Sequence, residues 1–221
     1  MSVQFFAKEV SAAAAMVACA FWSLLGVAIP AAGQVETVVE YGYSDVWSCG
    51  PDTSTGQILC LYYDSYFVAS SPDEIAVLDA GGLGSPYCCH WFRTYETFNV
   101  WSGPESGALP TCRFFNPTFF DHFYTPYAAE CAAIQAHADW HWLYEGITFY
   151  LQIPDESGHC PLGTTILYRL YNNGMGGRPV HRLTTNLGTF NRMLAEGWVF
   201  EGDGRTFAFA CVPSSTAPST P

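Results

Sequence analysis

The sequence predicts a disulfide-stapled α+β domain, mainly antiparallel β, arranged as a pseudo-threefold closed repeat of β-β-α-β-β units, trefoil-like or propeller-like. Three observations carry this expectation. Short β-branched and aromatic segments are separated by Gly, Pro and Asn turns, short amphipathic helices fall between them, and eight cysteines follow an apolar leader. An aromatic content of 16% beside only 13% charged residues suits a rigid β domain, not a disordered chain.

The leader, Val10 to Gly33, is uncharged, and the small residues Ala31, Ala32 and Gly33 precede Gln34 as a signal-peptidase site requires. Residues 1–33 are therefore expected to be a signal peptide, although the run is also long enough for an uncleaved membrane anchor. Behind it about 190 residues are left, enough for one domain with its own core. With Lys8 and Glu9 in the leader, the remainder carries seven arginines against nineteen acids, a net charge of −12. That charge repels phosphate backbones and anionic lipid, so no nucleic acid partner and no membrane association after leader cleavage are expected. Cys49, Cys60, Cys88, Cys89, Cys112, Cys131, Cys160 and Cys211 are even in number and read as disulfides of an extracellular or periplasmic compartment. No two are spaced C-x-x-C, so structural zinc is not expected.

The single domain, 34–212, divides into units at about 36–102, 110–152 and 164–212. The first opens on the strand Val38 to Tyr41, is interrupted by a polar loop between Cys49 and Cys60, and resumes at Leu61 to Val68. Ser71-Pro72-Asp73-Glu74 is a helix start with Ser at N-cap and Glu at N3, and Gly81-Gly82 is its stop. After an insertion with Cys88 and Cys89, Trp91 to Trp101 alternates as a hairpin. The second unit, Cys112 to Leu151, has two strands, a helix with Thr125 as N-cap and Cys131 and Ile134 on its inner face, and a hairpin turning at Gly146. The third has strands at Ile166 to Asn172 and His181 to Thr185, a helix with Leu187, Phe190 and Leu194 on one face, and a closing segment from Trp198 to Cys211. The Ser/Thr/Pro-rich 213–221 is expected to be a disordered tail.

Overlaying the units gives three anchors in constant order. Arg113 to Asn116 matches Arg169 to Asn172 and, more weakly, Glu40 to Tyr43. The strand holding His122 matches that holding His181, with Ser65 in the weaker copy. Trp142…Glu145-Gly146…Phe149 matches Trp198…Glu201-Gly202…Phe207 and Trp91…Phe98. On these motifs the chain resembles a family of secreted, mostly bacterial repeat domains of unknown function, marked by Arg-Phe-Tyr-Asn, His-Phe-Tyr-Thr and Trp…Glu-Gly…Phe segments. The resemblance runs from about Val38 to Val212. Members are accessory domains or stand alone, which implies adhesion or glycan binding. Cys112 starts a strand and Cys131 lies on the next helix, so these two are expected to pair. Cys160 and Cys211 bracket the third unit, and Cys49 and Cys60 are then left to meet Cys88 and Cys89.

The recurring Arg113, Asn116, His122, Trp142 and Glu145, with Arg169, Asn172, His181, Trp198 and Glu201, are candidate binding residues. Arginine, histidine and carboxylate groups walled by aromatic rings suit sugar hydroxyls, and the same set would equally serve as a buried network holding each turn. His137 and His141 are four apart but lack a third ligand, so no metal is expected. Neither a P-loop, a dinucleotide fingerprint, an EF-hand nor a G-x-S-x-G elbow is present, and no cofactor is expected. The function expected is a secreted, non-catalytic binding or adhesion module with a glycan or cell-surface ligand. An extracellular hydrolase using a His/carboxylate pair and a purely structural surface domain are the alternatives.

Overall fold

A computed structural model describes residues 33–51, 58–83, 91–202 and 206–215, without the side chains of 44–51 and 58–64. Its strands are β1 (Val35–Pro51), β2 (Ile58–Ala69), β3 (Phe92–Trp101), β4 (Ala108–Asn116), β5 (Asp121–Thr125), β6 (Leu143–Gln152), β7 (Thr164–Tyr171), β8 (His181–Thr184), β9 (Val199–Phe200) and β10 (Ala210–Pro213). Three helices interleave: α1 (Pro72–Asp79), α2 (Ala128–Ala136) and α3 (Leu187–Ala195). All described ladders are antiparallel, so the mainly antiparallel β architecture is as expected.

The hydrogen-bonded sheet is open, which corrects the expected closure. Its path runs β2-β1-β3-β6-β10-β7-β8, with β4, β5 and β9 branching from it. The ends do not zip together because β2, β5 and β8 meet through side chains. The Tyr124 hydroxyl donates to the Val68 carbonyl and accepts from the Val68 amide, both at 3.1 Å. The fully buried Asp121 carboxylate faces the amides of His181, Tyr66 and His122, the first donating at 3.3 Å. Side-chain acceptors thus satisfy strand edges that a ladder would otherwise have taken.

One core cluster gathers Val38, Tyr41, Phe67, Trp91, Phe98, Phe149, Leu167 and Phe209 from β1, β2, β3, β6, β7 and the approach to β10. A smaller cluster under α2 holds Phe114, Phe123, Cys131 and Ile134, and another under α3 holds Tyr168, Leu170, Phe190 and Met193. The α3 face is therefore offset from the expected one: Leu187 is exposed, and Met193 is buried where Leu194 is only partly so.

Several local expectations change. The two hairpins are single bulged strands. In β6, the ladder with β4 slips between Arg113 and Phe114, and Gly146 sits at φ +114° opposite Arg113. In β3 the slip lies between Val39 and Tyr41, with Tyr95 at φ +68°. A residue at positive φ inside a continuing ladder makes a bulge, not a turn. The loop between Cys49 and Cys60 is an extension of the β1–β2 ladder, with Cys49 opposite Cys60 in backbone register. In the same ladder Gly42 faces Tyr66, as Phe115 faces His122 and Tyr171 faces His181, so Tyr66 and not Ser65 stands at the histidine position. Phe209 fills the core while Phe207 is 38% exposed, because the third closing segment is longer. Helix α2 has Tyr127, not Thr125, at its N-cap, and the Thr125 hydroxyl accepts the Tyr127 amide just before it.

Cys112 is bonded to Cys131 and Cys160 to Cys211. The other four cysteines, the leader and residues 216–221 fall outside the described residues or side chains; the Ser214 amide still bonds the Gly163 carbonyl. Among the described residues no helix is long and apolar enough to cross a membrane. Sequence separations of 19 and 51 predict that replacing both cysteines by Ala costs about 3 kcal/mol for Cys112–Cys131 and about 4 kcal/mol for Cys160–Cys211. Denaturant titration of the two double variants checks the order; a larger loss at Cys112–Cys131 would contradict it.

Candidate functional site

Three arginines cross the joins between successive segments of the chain, and each meets carboxylates from two different elements. Arg113 on β4 lies 2.9 Å from Glu74 of α1 and 2.9 Å from Glu145 of β6, with its guanidinium 5.3 Å from the Phe67 ring centre. Arg169 on β7 donates to both oxygens of Glu130 on α2 at 2.9 Å and lies 3.0 Å from Glu201. Its guanidinium is 4.8 Å from the Phe123 ring centre and 4.2 Å from that of Phe209. Arg182 on β8 forks onto Glu40 of β1 at 2.9 and 2.7 Å, approaches Glu96 of β3 at 3.9 Å, and covers Tyr66 at 4.2 Å.

Local sequence puts these groups there. Glu74 and Glu130 occupy the third position of α1 and α2, so both point from the first helical turn toward the next segment. Ser71 stands at the α1 N-cap without a side-chain cap bond, so the expected capping box does not form and Glu74 pairs with Arg113 instead. Glu145 is the residue beside the β6 bulge, which re-aims it at Arg113.

Each histidine sits behind its carboxylate. His122 Nε2 is 3.6 Å from Glu145, and His181 Nε2 is 3.5 Å from Glu201. Burial, helped by the Arg113 charge, lowers the His122 pKa well below its ordinary range. The same causes, with Arg169, bring His181 down to about 3. Burial also raises Glu145 and Glu201, the neighbouring arginines opposing it. Both imidazoles are thus neutral at pH 7.

The joins differ in access. The Arg169 side chain is 7% exposed against 16% for Arg113, while Glu130 and Glu201 beside it keep 33% and 29%. Beside Arg113 a cavity of about 230 Å³ opens, walled by Phe67, Leu83, Trp91, Phe115 and Phe120, with His122, Glu74 and Glu145 as its polar side. Across Arg113 a second hollow of about 310 Å³ is lined by Ser70, Ser71, Glu74, Glu145 and Thr148, so the Glu74–Arg113–Glu145 set forms a partition.

The sequence-derived residues divide accordingly. Arg113, His122 and Glu145 come together at the cavity, and Arg169, His181 and Glu201 come together at the next join. Asn116 and Asn172 hold turns: the Asn116 side-chain Oδ1 accepts the Thr118 and Phe119 amides, and that of Asn172 accepts the Gly174 and Val180 amides. Trp142 packs against Phe123 and Trp198 against Tyr66, away from the cavity. His137 stacks on Trp140 where α2 ends, and among the described residues no group of three or more His, Cys, Asp or Glu is placed to hold a metal ion. Sequence reasoning missed Glu74, Phe67 and Phe115 as site residues. The shared glutamate at helix position three was the available signal.

Both histidines are neutral in the fold and take up protons when unfolded below pH 6.5, so the unfolded chain binds more protons there. Stability from this source is intact above pH 6.5 and falls as pH drops toward about 3. The burial-raised Glu145 and Glu201 act in the opposite sense, favouring the fold as they protonate. His181→Gln isolates one imidazole: its unfolding free energy is expected to fall less steeply than wild type below pH 6.5. Denaturant titrations across that range check it, and parallel curves would contradict it.

A family model described as a domain of unknown function (DUF5648) matches residues 89–207. No curated protein and no solved structure matches the chain. The matched stretch contains both arginines with Glu130, Glu145 and Glu201, whereas Glu74 and the Phe67 and Phe209 rings, together with β1, β2, α1 and β10, lie outside it.

Proposed function

This chain belongs to the DUF5648 family, a domain of unknown function, and from that premise we propose that it is a secreted, non-catalytic module binding a sugar ring beside Arg113. The observation that carries the reading is the cavity of about 230 Å³ in which aromatic walls stand opposite two carboxylates. Ring faces take the C–H face of a pyranose, and carboxylate oxygens accept from its hydroxyls. Pockets for drug-sized ligands run from about 300 to 1,000 Å³, so this one suits a single ring. The two disulfides support an oxidising compartment, hence secretion.

We also infer that the segments are three copies of one unit closed by side chains around an open sheet. The support is the recurrence of one arginine, two carboxylates and an aromatic ring at each join. On this reading the Arg169 set holds the fold and the Arg113 set, built alike, has one side free for a ligand.

The 3.6 Å approach of His122 to Glu145 favours the hydrolase as the second reading. A neutral histidine with a carboxylate beside it is half of a general-base pair; the cavity's lining offers no hydroxyl or thiol nucleophile, so a covalent step would fall to Glu74 or Glu145, both of which Arg113 already holds. Phe115→Ala, at a partly exposed position, is expected to lower affinity for a glycan-array hit at least tenfold with little change in thermal midpoint, whereas Glu145→Gln is expected to lower affinity and midpoint together because it also unpairs Arg113. Turnover of an ester or glycoside panel that His122→Ala abolishes would replace binding by hydrolysis. Glycan binding unchanged in Phe115→Ala would remove the cavity as the site.

A further inference from the structure

A third cavity, of about 450 Å³, opens against the Arg182 set at the join between β8–α3 and β1–β3. Its rim carries Phe92, 51% exposed, and Tyr95, 90% exposed, and its polar lining includes Arg93, Glu96, Arg182 and Arg192. Tyr95 is the most exposed of the large hydrophobic residues at positive φ among those described, a group that also includes Leu83, Phe120 and Phe207. It holds φ +68° at the bulge of β3, a conformation that bulky residues rarely adopt, where the corresponding bulge of β6 uses Gly146. The ring gains almost no packing at that exposure, so neither core filling nor local backbone preference accounts for a tyrosine there. An exposed aromatic ring held beside a cavity in this way is placed to stack on a ligand.

The lining selects the ligand. Arg93 is already forked onto Asp79 at 2.7 and 2.6 Å, Arg182 onto Glu40 at 2.9 and 2.7 Å, and Arg192 lies 3.8 Å from Glu196. Glu96 adds a further acid, held by the hydroxyls of Thr184 and Thr189. The cations are therefore matched, and an acidic ligand would meet no surplus positive charge in a chain of net charge −12. A neutral, hydroxyl-rich ring finds donors, an acceptor and two aromatic faces. We propose that this cavity is a second carbohydrate site, taking a neutral stretch of polysaccharide about two rings long, with Tyr95 and Phe92 as its stacking platform. The proposal rests on the binding-module reading but concerns a different cavity.

Affinity electrophoresis in native gels containing hydroxyethylcellulose, xylan, galactomannan or polygalacturonate tests it. Wild type is expected to be retarded by at least one neutral polymer. Tyr95→Gly, which relieves the backbone, is expected to keep or raise the thermal midpoint while weakening that retardation at least tenfold, and Tyr95→Asn should do the same. Phe115→Ala separates the two sites: retardation lost there but unchanged in Tyr95→Gly overturns this second site and leaves the first. Retardation lost in Tyr95→Gly but unchanged in Phe115→Ala supports this site and removes the first. Retardation by polygalacturonate alone overturns the ligand class, and no retardation in any gel overturns the proposal.

Discussion

A guanidinium taken out of water must find carboxylates and a polarisable face, or the fold loses several kcal/mol. Arg113, Arg169 and Arg182 each meet that demand with acids from two elements that are distant in sequence, as in the 142 residues between Glu40 and Arg182. No segment can therefore bury its own arginine. The ion sets become cross-braces between segments, and the core clusters under α2 and α3 stay small because they need not hold the joins alone. The cavity beside Arg113 follows from the same geometry: a brace that is satisfied on one side can present its acids to a ligand on the other.

The third join looks irregular until its register is known. Phe67 and Phe123 lie beneath Arg113 and Arg169, and the corresponding place on β8 is Arg182 itself, opposite Leu170 as Phe123 is opposite Phe114. Where Arg113 and Arg169 stand on the opening strands, β1 has Glu40. An arginine over a ring at two joins is thus a glutamate against an arginine at the third, with the cation moved across the join. Burial raises Glu40, and the Arg182 fork and the Thr94 hydroxyl at 2.6 Å oppose that. On the three-copy reading, the arginine absent from the first segment is compensated from across the join.

Much of the architecture was legible because its signals are local. Pro72 behind Ser71 sets the start of α1, and the positions of Cys112, Cys131, Cys160 and Cys211 along strand and helix give their partners. The recurrence of Arg, His and Glu located the joins. What failed depended on register. Gly146 reads as a turn because a bulge and a hairpin use the same residue, and only the partner strand tells them apart. Spacing alone picked Phe207 over Phe209, and an overlay shifted by one residue put Ser65 where Tyr66 stands. The cavity's aromatic walls come from β2, β4 and the residues flanking β3 and β5, a convergence that no single stretch displays.

The most direct test is to rebuild the third join in the pattern of the other two. Glu40→Arg alone sets two guanidiniums against each other and is expected to cost about 3–5 kcal/mol of unfolding free energy. Adding Arg182→Phe restores an arginine over a ring, with Glu96 beside it, and is expected to recover about half of that loss or more in a denaturant titration. A double variant no more stable than Glu40→Arg would contradict the equivalence of the three joins.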